Sequence, residues 1–215
     1  MGLVPGVLWA RLYDRINRKA EGAGLADERR RLIGGARGAT IEIGAGTGLN
    51  LAHYPASVER LVLVEPDRHM TGRLRRRSEE YGRVAEIVTA SAEELPFDGG
   101  TFDTAVVTFV LCTVDDPEAA LAEIRRVLKP GGRLLFMEHV RSHDERLALR
   151  QDRVRPIYHA LIDCNPNRDT LRAINSSGFA PESVRHGEVP GAPAIERPMI
   201  VGVACLAEQR KMVTP

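Results

Sequence analysis

The chain has 215 residues, 43% hydrophobic and 27% charged, which suits one domain with a full core and excludes a fibrous or low-complexity protein. A formal net charge of +1 gives no global field to recruit nucleic acid or an anionic surface. Three scattered cysteines, Cys112, Cys164 and Cys205, form no C-x-x-C pair, so neither a disulfide framework nor a metal site is expected, and a cytoplasmic setting follows.

Residues 1–10 are apolar but stop at Arg11, too short a run to span a bilayer, and they lack the basic start and small-residue cleavage site of a secretory signal. Apolar residues at helical spacing, including Leu8, Leu12 and Ile16, predict helices in the first part of the chain. We read residues 1–35 as a helical cap over a ligand cleft and residues 36–215 as the main unit of one structural domain. At most a peripheral membrane contact through the N-terminal helix is expected. Residues 1–38 carry eight basic and four acidic side chains, and residues 73–77 form a second basic run. Both runs read as solvated helix faces.

From residue 39 onward, short β-rich runs alternate with helical stretches, the pattern of a parallel sheet covered on both faces. Strands are predicted at 39–43, 60–65, 84–89, 102–110 and 133–140. Helices are predicted at 68–81, stopped by Gly82, and at 117–128, opened by Asp116-Pro117 and ended by Pro130-Gly131-Gly132. Beyond 140 the pattern loosens to helices near 143–161 and 168–177, then strands at 180–186 and 199–206 forming a hairpin-like edge. The expected fold is α/β, a single Rossmann-like doubly wound sheet of about seven mostly parallel strands with an antiparallel edge strand, plus N-terminal helices.

The first strand runs into Glu42-Ile43-Gly44-Ala45-Gly46-Thr47-Gly48. Glycine permits positive φ and lets a ligand approach where a Cβ would intrude. A dinucleotide fingerprint G-x-G-x-x-G would need its third glycine where this chain has Leu49. The G-x-G-x-G spacing after an acid favours S-adenosylmethionine (SAM), whose cationic methionine end Glu42 can meet directly or through water. Glu65 closes the second strand, 19 residues after Gly46, where an acid can accept from both ribose hydroxyls, with Pro66 following. Ser91-Ala92-Glu93 follows the third strand, positioned for adenine, and Thr108-Phe109 follows the fourth, beneath the sulfonium. Four sites in order at consecutive strand ends is where such sheets bind ligands.

These segments resemble the class I SAM-dependent methyltransferases, the broad family that includes the ubiquinone and menaquinone methyltransferases. The resemblance is carried by I-E-I-G-A-G-T-G-L-N-L, L-V-L-V-E-P-D, S-A-E-E-L-P-F-D-G-G-T-F-D and R-V-L-K-P-G-G-R-L-L-F-M-E-H-V, over residues 39–140. It implies that Glu42, Gly44, Gly46 and Gly48, with Ala45 and Asn50 in the same loop, frame the methionine moiety. It also implies that Glu65 holds the ribose, that residues 91–93 hold adenine, and that S-adenosylhomocysteine is the product. Tyr13 is a candidate to close over the cofactor.

Residues 155–158, 163–170 and 197–202 resemble a narrower branch, the microsomal alkyl-thiol methyltransferases and bacterial phospholipid methyltransferases. Asp163 stands where that pattern carries a glycine. The branch implies a small-molecule acceptor, a thiol ahead of a phospholipid or quinone headgroup. A thiol must lose its proton, and His139, just past the fifth strand, is the candidate general base. Asp163 and Arg168 are candidates to orient the acceptor. No Asn/Asp-Pro-Pro-Tyr/Phe follows the fourth strand, so a nucleic-acid substrate is not expected. A non-catalytic SAM- or nucleoside-binding module is the alternative from another class. The sequence fixes no oligomeric state.

Overall fold

The computed structural model describes residues 13–15 and 17–206. Leu8, Leu12 and Ile16, on which the helical reading of the N-terminus rests, therefore lie outside the described residues. Residues 13–15 and 17–20 are helical and lead into Glu21–Leu25, where Gly24 at φ 122° kinks the chain before α1 (Ala26–Ile33).

Seven strands form one sheet in the order β3-β2-β1-β4-β5-β7-β6. They are β1 (Gly38–Ile43), β2 (Val58–Val64), β3 (Glu86–Val88), β4 (Phe102–Thr108), β5 (Leu128–His139), β6 (Phe179–Glu188) and β7 (Pro198–Leu206). The first five pair in parallel, whereas β7 runs antiparallel to both β5 and β6. The antiparallel edge is thus the β6–β7 pair, and the reversed strand is its inner member. β6 forms the outer border and is mostly exposed; it accommodates Pro181 with a register shift between Pro181 and Ser183.

Alternation along the strands feeds two apolar layers. On β5, Leu134 and Phe136 join one cluster while Leu135 and Met137 join the other. On β2, Val62 and Val64 oppose Leu61 and Leu63 in the same way. α2 (Arg68–Glu80) follows β2, and α3 (Pro117–Val127) links β4 to β5. Each begins at an aspartate whose carboxylate accepts two backbone N–H groups. Asp67 accepts from His69 and Met70, and Asp116 from Glu118 and Ala119. α4 (Glu145–Ile162) and α5 (Thr170–Ser176) precede β6, capped by Asp144 and Asp169.

β4 ends at Thr108, two residues earlier than expected. Phe109 turns to φ 59°, and the N–H groups of Val110 and Cys112 donate to the buried Glu138 carboxylate at 2.9 and 3.2 Å. That capture turns the chain away from the sheet. β1 lies between β2 and β4, so the chain switches direction beside it, and the C-terminal ends of these strands open a crevice.

Candidate active site

The crevice is a cavity of about 370 Å³. Gly44 and Gly46 line it from the loop after β1, and Glu65, Pro66 and Asp67 from the end of β2. Ser91, Ala92 and Glu93 follow β3, and Phe109, Val110 and Thr113 follow β4. Tyr13 closes one side from the N-terminal helix, and Ile162 with Asp163 closes another from the end of α4.

Gly46 adopts φ +56°, and a Cβ there would meet nothing within 4 Å. Its N–H donates to Glu65 Oε2 at 2.8 Å, while Glu65 Oε1 accepts from Asp67 N–H at 2.9 Å. The carboxylate therefore ties the glycine loop to the start of α2 and keeps lone pairs for a ligand. Burial raises its pKa against those two N–H bonds. Gly44 serves differently. It also has positive φ, but a Cβ would lie 2.5 Å from Val110 Cγ2, so its lack of a side chain lets the two loops pack.

Glu42, Ala45, Asn50 and Thr108 line not this cavity but a side cavity of about 10 Å³, bordered on its near side by Tyr13 and Gly44. Gly48 packs toward Leu51 and Leu74. Glu42 is buried and accepts from Asn50 Nδ2 at 2.9 Å and from the Tyr54 hydroxyl at 2.6 Å. Burial pushes its pKa up to about 7 against those bonds and the nearby Arg29 charge. Arg29 belongs to a run expected to be solvated, yet it is 2% exposed. It donates to Glu21 at 2.9 Å, Asn50 at 3.0 Å and Thr108 at 3.3 Å, and lies 5.6 Å from the centre of the Phe109 ring. Its neighbours Arg30 and Arg31 are exposed, as expected, and pair with Asp27 and Glu28.

The second basic run divides in the same way. Arg75 and Arg76 are exposed, but Arg73 and Arg77 donate to Asp14 at 3.0 and 2.8 Å. Asp14 also accepts from Thr47 Oγ1 at 2.5 Å. The N-terminal helix is thereby fastened to α2 and to the glycine loop. Burial raises the pKa of Tyr13, beside Asp14, to about 12, so its hydroxyl stays protonated.

On the acceptor side the candidates separate. Asp163 lines the cavity and adopts φ 54°, ψ 19° at the end of α4, a left-handed conformation that glycine takes without strain. The turn is kept although the glycine of the related pattern is absent. Arg168 lies away from the cavity and donates to the backbone carbonyls of Leu111 and Asp115, shaping the loop after β4. His139 does not line the cavity either. Its ring stacks on Phe109, centroids 4.5 Å apart and 34° between planes. Its Nδ1 has no partner among the described residues. Burial pushes its pKa down to about 4 against a hydrogen bond with the Glu196 backbone, so the ring is neutral near pH 7. The expected direct meeting of His139 with an acceptor is thus interrupted by Phe109. Sequence reasoning missed Arg29, Tyr54, Asp67 and Ile162. Only Asp67 carried a signal, as the cap of a helix beginning inside a strand-end motif.

A glycine loop with an open Cβ position, a strand-end carboxylate behind it and a crevice at the sheet's switch point define a SAM-dependent methyltransferase of the Rossmann-like class. Residues 41–136 match the methyltransferase domain family, and the chain belongs to the SAM-dependent methyltransferases. It is 32% identical over 169 residues to a thiol S-methyltransferase of Homo sapiens, covering 76% of this chain and 69% of that one. It is 36% identical over 104 residues to a phosphatidylethanolamine N-methyltransferase of Cereibacter sphaeroides, covering 47% and 51%. A SAM-dependent methyltransferase structure from Thermotoga maritima superposes with TM-score 0.67 over 92% of this chain and 98% of that one. At 23% identity that likeness is one of fold. SAM is the cofactor, and the open Gly46 position beside Glu65 fits it. Among the described residues no group of three or more histidine, cysteine or acidic side chains could hold a metal, and no helix is long and apolar enough to cross a membrane.

Proposed function

We propose that the protein transfers the methyl group of SAM to the sulfur of a small, lipophilic thiol. The observation that carries this reading is the 32% identity to a thiol S-methyltransferase across three quarters of the chain. Support comes from the left-handed turn at Asp163, where the related pattern has glycine, and from apolar side chains of Phe109, Val110, Val114 and Ile162 around the cavity. A lipid amine or quinone headgroup is the second reading, favoured by the phosphatidylethanolamine N-methyltransferase similarity.

In this reading Glu65 accepts from the ribose hydroxyls with the lone pairs not used by Gly46 and Asp67. The segment Ser91–Glu93 meets adenine, and Gly46 leaves room for the methionine chain. Glu42, Asn50, Thr108 and Arg29 act from beneath as a buttress that fixes the loop. When bound, SAM supplies an electrophilic methyl on a sulfonium. The protein then has to hold the sulfur nucleophile in line and exclude water, and positioning of this kind accounts for roughly 7–11 kcal/mol of a barrier. Asp163 orients the acceptor at the cavity rim, and Arg168 acts through the loop it holds. We assign His139 to positioning: it fixes Phe109 under the reacting atoms, and the thiol reaches the site as thiolate.

A turnover screen over an alkyl thiol, an acidic aryl thiol, a phenol, an amine and phosphatidylethanolamine tests both points. Methyl thioether should form from both thiols together with S-adenosylhomocysteine. His139→Gln should lower kcat for the two thiols by a similar factor, with SAM affinity within about twofold, whereas a base would show a selective loss with the alkyl thiol. Product from the lipid or a quinol alone would leave methyl transfer standing and remove the thiol.

The N-terminal helices are proposed as a cap that closes over bound cofactor. Asp14 is their fastening, so Asp14→Ala should raise the SAM dissociation constant roughly 5–30-fold, as expected for a partly buried charge with several hydrogen bonds. A chain beginning at residue 36 with undiminished turnover would contradict the cap.

A further inference from the structure

α4 buries few of its side chains, Ala148 and Gln151 among them. Among the described residues only five large hydrophobic side chains are strongly exposed, and three of them, Leu149, Ile157 and Leu161, belong to this helix at 54%, 60% and 44%. At 3.6 residues per turn they fall within an arc of about 120°. Arg146, Arg150 and Arg153 fall in the same arc; all three are exposed, and none forms an ion pair among the described residues. The acids of the helix lie outside it. Asp152 points elsewhere, held by Arg141 at 3.0 Å and Asn167 at 2.9 Å, and Glu145 lies about 40° beyond Leu149, just past the edge of the arc. Arg155 is also turned away, donating to Asn165 at 2.9 Å.

We propose that α4 lays this face on an anionic phospholipid surface. The arc is aliphatic and basic, with no acid and none of the aromatic side chains that organise a protein interface. Arginine stems interleaved with leucine and isoleucine suit the boundary of a bilayer: the aliphatic side chains enter the acyl region while the guanidinium groups reach back to the phosphates. The net charge of +1 offers no general attraction, so binding depends on this local array. α4 ends at Ile162 and Asp163, both at the cavity rim. Docking there places the opening beside the lipid, from which a lipophilic acceptor can pass without crossing water. The surface itself does not depend on which acceptor atom is methylated.

The test is partitioning of the full-length chain onto phosphatidylcholine vesicles with and without phosphatidylglycerol. We expect binding to the anionic vesicles alone, weakened by salt. Arg146→Gln/Arg150→Gln/Arg153→Gln should reduce partitioning on the order of a hundredfold, each arginine contributing about fivefold. Leu149→Ser/Ile157→Ser/Leu161→Ser should reduce it at least as much. Both variants should keep wild-type turnover of a water-soluble acceptor, and the arginine set, being exposed, keeps the test open if the serine set fails to fold. Wild type that stays off anionic vesicles overturns the proposal. So do arginine variants that bind like wild type, which would move the contact to another segment. A wild-type dimer made monomeric by the substitutions would do the same, since the face would then be covered by a second copy.

Discussion

Replacing Gly46 by valine is expected to abolish SAM binding, raising the dissociation constant by more than about a hundredfold. Two effects combine. The residue sits at φ +56°, where an L side chain costs roughly 1–2 kcal/mol and a β-branched one more. A Cβ there would have no neighbour within 4 Å, so the added methyls would project into the space kept for the ligand. The substitution also disturbs the N–H that donates to Glu65 at 2.8 Å. Gly44 is the control, because alanine there collides with Val110 at 2.5 Å and should act mainly on stability. Calorimetric titration with SAM, paired with thermal unfolding without it, separates the two. A Gly46→Val chain that bound SAM within about twofold of wild type would show that the loop does not face the cofactor.

Glu65→Ala is the second large effect. Charge-assisted hydrogen bonds are worth about 1.5–3 kcal/mol each, so loss of the ribose contact should weaken SAM about 10- to 150-fold. The same carboxylate anchors the N–H groups of Gly46 and Asp67, so the loop also loses its tie to α2. Glu65→Gln keeps one acceptor oxygen and should fall between wild type and alanine. The ordering glutamate, glutamine, alanine in SAM affinity distinguishes a ligand contact from a loop support, since a purely structural role would show equally in thermal stability without SAM. Unchanged affinity in Glu65→Ala would move the ribose elsewhere.

The strands were legible because buried parallel strands write their period directly: Leu61 to Val64 and Leu134 to Met137 alternate between two apolar layers. Helix starts were legible for a local reason, since Asp67, Asp116 and Asp169 bond N–H groups two or three residues on. The glycine loop and Glu65 were visible because both act through backbone geometry at strand ends. What escaped was set by distant partners. Arg29 is buried among partners remote in sequence: two of its three acceptors, Asn50 and Thr108, are 21 and 79 residues away. The early end of β4 depends on Glu138, 28 residues beyond Val110. His139 stands at the end of a strand, the position that points to a site residue. Its ring lies against Phe109, a residue at positive φ that no local pattern announced. Tyr13, a candidate by its place in the chain, lines the cavity wall.

The most direct measurement of the central claim is calorimetric titration of the full chain with SAM and, separately, with NADH. The glycine loop and Glu65 predict one SAM site per chain, weakened in Glu65→Ala and lost in Gly46→Val, with no heat from NADH. Binding of NADH without binding of SAM would contradict the account.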